Sequence, residues 1–85
     1  MSETRVWLVE RSYNDKGMVL LIYATPDGER YLRRQLSERM LMTKDVTAAI
    51  EVADDRLETT ADEEVERYAA EATRMAEQHD PDDSV

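Results

Sequence analysis

The sequence contains no cysteine, which excludes disulfides, thiolate nucleophiles and cysteine-bound metal together. Its two glycines, Gly17 and Gly28, each sit inside a turn signal, so no glycine-rich loop is present to cradle a phosphate. Long apolar runs are missing as well. The longest, Met18 to Ala24, falls far short of the roughly 20 residues that span a bilayer. The polar start Ser2-Glu3-Thr4-Arg5 lacks the basic-then-apolar order of a signal peptide, so a cytoplasmic location and no membrane partner are expected. Lysine is scarce, with only Lys16 and Lys44 beside nine arginines.

What is present is charge. Twenty acids face eleven lysines and arginines, for a net charge of −9 over 85 residues. Residues 1–50 hold seven acids against eight bases, net +1, and residues 51–85 hold thirteen acids against Arg56, Arg67 and Arg74, net −10. Many carboxylates with little lysine suit life in molar salt, where the Debye length is about 3 Å and carboxylates repel one another weakly. At low salt the same repulsion opposes compaction. Eighty-five residues make one domain. A chain of that size buries about 60–65% of its unfolded surface.

Residues Thr4–Arg11 are short and rich in β-formers, and read as a first strand. The turn chemistry of Asn14-Asp15-Lys16-Gly17 leads to a second, Met18–Ala24, apolar at nearly every position and so expected to be covered on both faces. Thr25-Pro26-Asp27-Gly28 is the clearest turn, with Gly28 placed for a left-handed conformation. Arg30–Leu36 reads as a charged edge strand. Ser37–Asp45 is either a helical turn or an irregular connection. Residues 46–52 fit a strand by alternation and a helix by face, and their β-branched members favour the strand. Val65, Tyr68, Ala69, Ala72, Met75 and Ala76 form one narrow helical stripe over 61–79, with Thr60 and Glu63 placed for a capping box and Pro81 for the stop. The expected fold is α+β: a three- or four-stranded antiparallel β-meander with one C-terminal amphipathic helix packed on a sheet face. Residues 1–79 form the domain, and 80–85 a flexible acidic tail.

Two stretches carry a resemblance: Ala24-Thr25-Pro26-Asp27-Gly28-Glu29-Arg30-Tyr31, and Glu66–Ala76 with His79-Asp80-Pro81-Asp82-Asp83 after it. They resemble small acidic uncharacterised proteins of haloarchaea, over most of the chain. The resemblance implies a halophilic, cytoplasmic setting and brings no activity or site residue with it.

No constellation of residues points to an enzyme, a cofactor or a metal. His79 with Asp80, Asp82 and Asp83 lies where the chain is expected to fray, and a fraying tail holds no ligand geometry. Asp54-Asp55 and the helix carboxylates show no sign of the burial that raises a general acid. Two candidate binding surfaces remain. The apolar strands have two faces and one alanine-rich helix covers only one. A partner-binding face around Trp7, Val9, Tyr23 and Tyr31 is therefore expected, filled by a second copy in a homodimer or by another protein. The alternative is a nucleic-acid-associated regulator using Arg30, Arg33, Arg34 and Arg39, with Lys44 nearby. A net charge of −9 opposes it, because phosphate contacts weaken steeply with salt. The expected function is thus a small non-enzymatic protein-interaction or assembly module.

Overall fold

The structure, a computed structural model, describes residues 2–14, 16–37, 39–40 and 46–85. Five strands, β1 (Glu3–Tyr13), β2 (Met18–Ala24), β3 (Arg30–Ser37), β4 (Ala49–Ala53) and β5 (Glu58–Thr59), form one antiparallel sheet in the order β4-β1-β2-β3-β5. A 3-10 turn, Asp54–Arg56, links β4 to β5, and one helix, α1 (Asp62–Gln78), follows. The α+β class holds, but the sheet is larger than a simple meander. The eleven residues of β1 are long enough for β4 to pair with Glu3–Trp7 while β2 pairs with Trp7–Tyr13. Of residues 46–52, read as a strand by their β-branched alternation, 49–52 lie in β4 and 46–48 precede it. The connection over 41–45, Lys44 included, lies outside the described residues.

Both hairpin turns follow their residue chemistry. Asn14 Oδ1 accepts the amides of Lys16 and Met18, and Asp27 Oδ1 accepts the Thr25 hydroxyl and the Glu29 amide. Gly17 and Gly28 both stand at φ +75°, a region other residues enter at a cost. Gly28 has a second constraint, because a Cβ there would lie 2.2 Å from the Val65 carbonyl oxygen of α1. That turn is the seat of the helix.

A bulge at Val9 decides which side chains share a face. Leu8 pairs with Tyr23 and Glu10 with Ile22, so Val9 is the extra residue. Beyond it the alternation is inverted: Glu10 and Ser12 join the face of Trp7, and Arg11 and Tyr13 join the face of Val6 and Leu8. α1 covers the first of these, packing Tyr68 and Ala72 over Trp7, Ile22, Ala24, Ala48 and Ala49. The other face holds Val6, Leu8, Val19, Leu21, Tyr23, Leu32 and Val52.

That second face was expected to need a partner, and the sheet covers it by curling. β4 and β5 lie at opposite edges, about 19 Å apart if five strands were flat. The chain between them is only Asp54–Leu57, whose 3-10 turn advances about 2 Å per residue, so the edges must approach each other. Leu57, Val46, Ile50 and Leu36 close over the concavity.

Two local expectations are corrected. The helix starts at Asp62, with Ala61 as its N-cap and no side-chain capping bond. Thr60 is held in line with β5 by its amide bond to the Glu29 carbonyl, one residue short of the cap. Its hydroxyl is buried without a hydrogen-bond partner among the described residues. Residues 80–85, expected to fray, are docked. Ala49 and Ala48 donate to the carbonyls of Pro81 and Asp83, Val85 donates to Val46, and Thr47 pairs with Ser84. The apolar side chain of Val85 explains the docking, since it packs against both Trp7's cluster and the inner face.

Candidate functional site

The four residues predicted to form a partner-binding face do not share a surface. Trp7 is 7% exposed beneath α1, and Tyr23, 2% exposed, is on the inner face. Val9 is half-buried beside Trp7, and Tyr31 packs edge-to-face on Tyr68 with ring centroids 6.1 Å apart. Adjacent residues of one strand point to opposite faces, so Trp7 and Tyr23, paired with Ala24 and Leu8 respectively, were bound to separate. The premise of a dimer through an uncovered face is therefore missing.

The arginine group is differently placed. β3 pairs with β2 over its whole length, from Met18↔Ser37 to Ala24↔Tyr31. Its outer edge pairs with β5 only at Arg30↔Thr59 and Tyr31↔Glu58. From Leu32 to Ser37 that edge has no strand partner among the described residues, so alternate N–H and C=O groups point outward. By register, Arg33 and Gln35 lie on the helix side of the sheet, with Ile22 and Leu20. Arg30 and Arg34 lie on the other side, with Leu32 and Leu36. Arg33 and Arg34 thus straddle the open edge, one on each side.

Arg30, Arg33, Arg34 and Arg39 are exposed, and none makes an ion pair among the described residues. Arg5, by contrast, pairs with Glu51 and Arg74 with Glu71. Arg67 binds Glu10 at 3.0 Å and also Glu64, and these two carboxylates hold its guanidinium pKa above the ordinary value. Glu10 is the acid in the same cross-strand row as Arg33, and the helix has taken it. Arg56, in the 3-10 turn, is likewise unpaired among the described residues.

Beside Arg33 and Gln35 is a hollow of about 140 Å³, lined also by Ser12, Tyr13, Asn14, Met18 and Leu20. Tyr13 is 62% exposed, and its side chain belongs by register to the opposite face, with Val19. A larger cleft of about 570 Å³ opens where the sheet edges approach, between Thr4, Thr25, Asp27, Glu29, Arg30, Asp54, Leu57 and Thr59. Two of its carboxylate and hydroxyl pairs are already engaged. The Thr25 hydroxyl and the Glu29 amide hold the Asp27 pKa below the ordinary carboxylate value, so it stays ionised and offers no proton. Thr4 donates to Asp54. Among the described residues no group of three or more His, Cys, Asp or Glu side chains is placed to hold a metal ion. His79 Nδ1 stands 3.7 Å from Asp83 Oδ2, within the docked tail.

The family model described as a family of unknown function (DUF7967) matches residues 1–85. The chain belongs to DUF7967. No curated protein and no solved structure matches it. For this DUF7967 member, sequence reasoning missed two features: the Val9 bulge and the two-residue cover of β3 by β5. The two residues of β5, Glu58 and Thr59, carry no alternation to read. The bulge shows only once Glu10 is seen facing Arg67.

Proposed function

We propose that this protein is a non-enzymatic protein-interaction module that receives an extended segment of another protein on the open edge of β3. The observation that carries the reading is the coincidence, at Leu32–Ser37, of outward backbone groups with exposed arginines that lack ion pairs among the described residues. An added strand gains main-chain hydrogen bonds from the edge and specificity from alternate side chains. The nucleic-acid reading is weaker, because it needs stacking rings beside the arginines. Trp7 and Tyr23 are buried, Tyr31 is engaged with Tyr68, and the exposed Tyr13 lies on β1, two strands away from the arginines of β3. The net charge of −9 also repels a polyanion.

The setting we infer is a halophilic cytoplasm, supported by the acid excess and by nine arginines against two lysines. Backbone hydrogen bonding keeps its strength in molar salt better than long-range charge attraction does. No helix among the described residues is long and apolar enough to cross a membrane.

The test is affinity capture from native lysate at high salt, with the wild-type chain and with Arg33→Glu/Arg34→Glu as bait, followed by hydrogen exchange on the complex. The reading expects a captured protein that slows exchange at residues 32–37 and is lost with the double variant. Protection confined to α1, or capture abolished by nuclease, overturns it.

A further inference from the structure

The open edge also constrains its ligand, on the reading that β3 is the binding surface. A strand laid along Leu32–Ser37 places successive side chains on opposite sides of the sheet. The residue across from Arg34 lies on the side of Leu32 and Leu36, and its neighbour across from Arg33 lies on the helix side. Two consecutive carboxylates therefore meet both arginines at once, one on each side. Leu32 is buried and Leu36 half-buried, and the residues opposite them fall two positions to either side of the acid that faces Arg34. Those positions favour apolar side chains, as cross-strand neighbours do.

We infer that the ligand is an extended protein segment in which two adjacent acids lie between apolar residues. For an antiparallel strand the order is apolar, any residue, acid, acid, apolar. For a parallel strand it is reversed.

A second copy of β3 does not meet this description. Pairing two β3 edges about a two-fold axis sets arginine against arginine or beside it, and like charges opposite one another are destabilising. The chain's own adjacent acids are engaged elsewhere. Asp54-Asp55 is in the 3-10 turn, Asp62-Glu63-Glu64 is in the first turn of α1, and Asp82-Asp83 is in the tail docked on residues 46–49. The segment has to come from another protein.

The probe is a synthetic ten-residue peptide, acetylated and amidated, whose centre reads Val-Thr-Glu-Glu-Val. Its partner probe has glutamine in place of both glutamates. Binding to the full chain is followed by fluorescence anisotropy at 0.1 M and 2 M salt and by amide hydrogen exchange. The glutamate peptide should bind about fivefold more tightly than the glutamine peptide at 0.1 M, as two exposed charge pairs of modest strength allow. The preference should shrink at 2 M and vanish with Arg33→Gln/Arg34→Gln. Equal binding of both peptides with protection of residues 32–37 overturns the paired-acid inference and leaves the edge reading standing. Glutamate-dependent binding that leaves exchange at 32–37 unchanged overturns both. A single-stranded oligonucleotide that binds where the glutamate peptide does not overturns both in favour of nucleic acid.

Discussion

Replacing Gly28 with alanine should remove a large part of the fold's stability, because two independent costs fall on one methyl group. The left-handed φ of +75° costs an L-residue about 1–2 kcal/mol. The new Cβ also lies 2.2 Å from the Val65 carbonyl oxygen and 2.7 Å from the Ala69 amide nitrogen, both backbone atoms of α1. Relief needs the helix or the turn to retreat by about 1 Å, and forced repacking of that kind costs about 1–3 kcal/mol. The total is about 2–5 kcal/mol, against about 4–13 kcal/mol expected for a chain of this length. With a urea slope of about 1–3 kcal/mol per molar, the midpoint should fall by about 2 M. The assay is urea unfolding at fixed salt followed by the fluorescence of Trp7, which the helix covers. Trimming the helix with Ala69→Gly should give no rescue, since the closest contact is to the Val65 carbonyl. A loss below about 1 kcal/mol, or recovery in the Gly28→Ala/Ala69→Gly double variant, would refute this account of how the turn seats the helix.

Other perturbations test other contacts. Trp7→Ala empties the space between α1 and Ala48–Ala49, and should cost about 3–5 kcal/mol in urea unfolding; a loss under about 1 kcal/mol would mean the helix does not pack there. Thr60→Val removes a hydroxyl that is 4% exposed as a residue and unpaired among the described residues, so stability should stay level or rise by up to about 1 kcal/mol. A fall of about 1 kcal/mol would instead reveal a capping role. Burial raises the phenol pKa of both Tyr23 and Tyr68 above the ordinary 10.0, with Arg34 and Arg11 partly opposing it at Tyr23 and Glu10 adding to it at Tyr68. A raised folded pKa means the stabilisation is complete below pH 10 and is lost as pH rises through the folded values. Denaturation midpoints should therefore fall above pH 10, and less steeply in Tyr23→Phe; an unchanged slope in that variant would exclude Tyr23 as a cause.

How much of this was legible depends on whether a feature is local. The turns at Asn14–Gly17 and Thr25–Gly28, the helix and its apolar stripe, and the charged character of β3 are all written within a few neighbouring residues. The cover of the inner face is not. It depends on β4 returning to β1 while β5, four residues later, reaches β3, and no periodicity records how far two edges must bend. Counting apolar strand faces against one helix therefore overstated the exposed area. The tail was expected to fray because Asp80, Asp82 and Asp83 are polar, but its contacts are made by the carbonyls of Pro81 and Asp83 and by Val85. Of the candidate residues, Arg30, Arg33 and Arg34 lie on β3, which is next to the edge strand β5, and Arg39 lies beyond it, while the aromatic set depended on a face that curling removed.

Arginine on an edge has an ordinary explanation, which is that charge keeps sheets from pairing with one another. Two features of this chain make that explanation insufficient. Any charge guards an edge against its own copy, and in a chain with twenty acids the sign that repels the rest of every copy is negative. A positive strip on such a molecule attracts acidic surfaces instead of refusing them. Guarding also relies on repulsion felt before contact, which molar salt screens beyond about 3 Å. Direct arginine–carboxylate hydrogen bonds act inside that distance. In molar salt Arg33 and Arg34 are therefore poor at keeping a strand away, and the reduced selection of an acidic strand that persists there rests on direct contact.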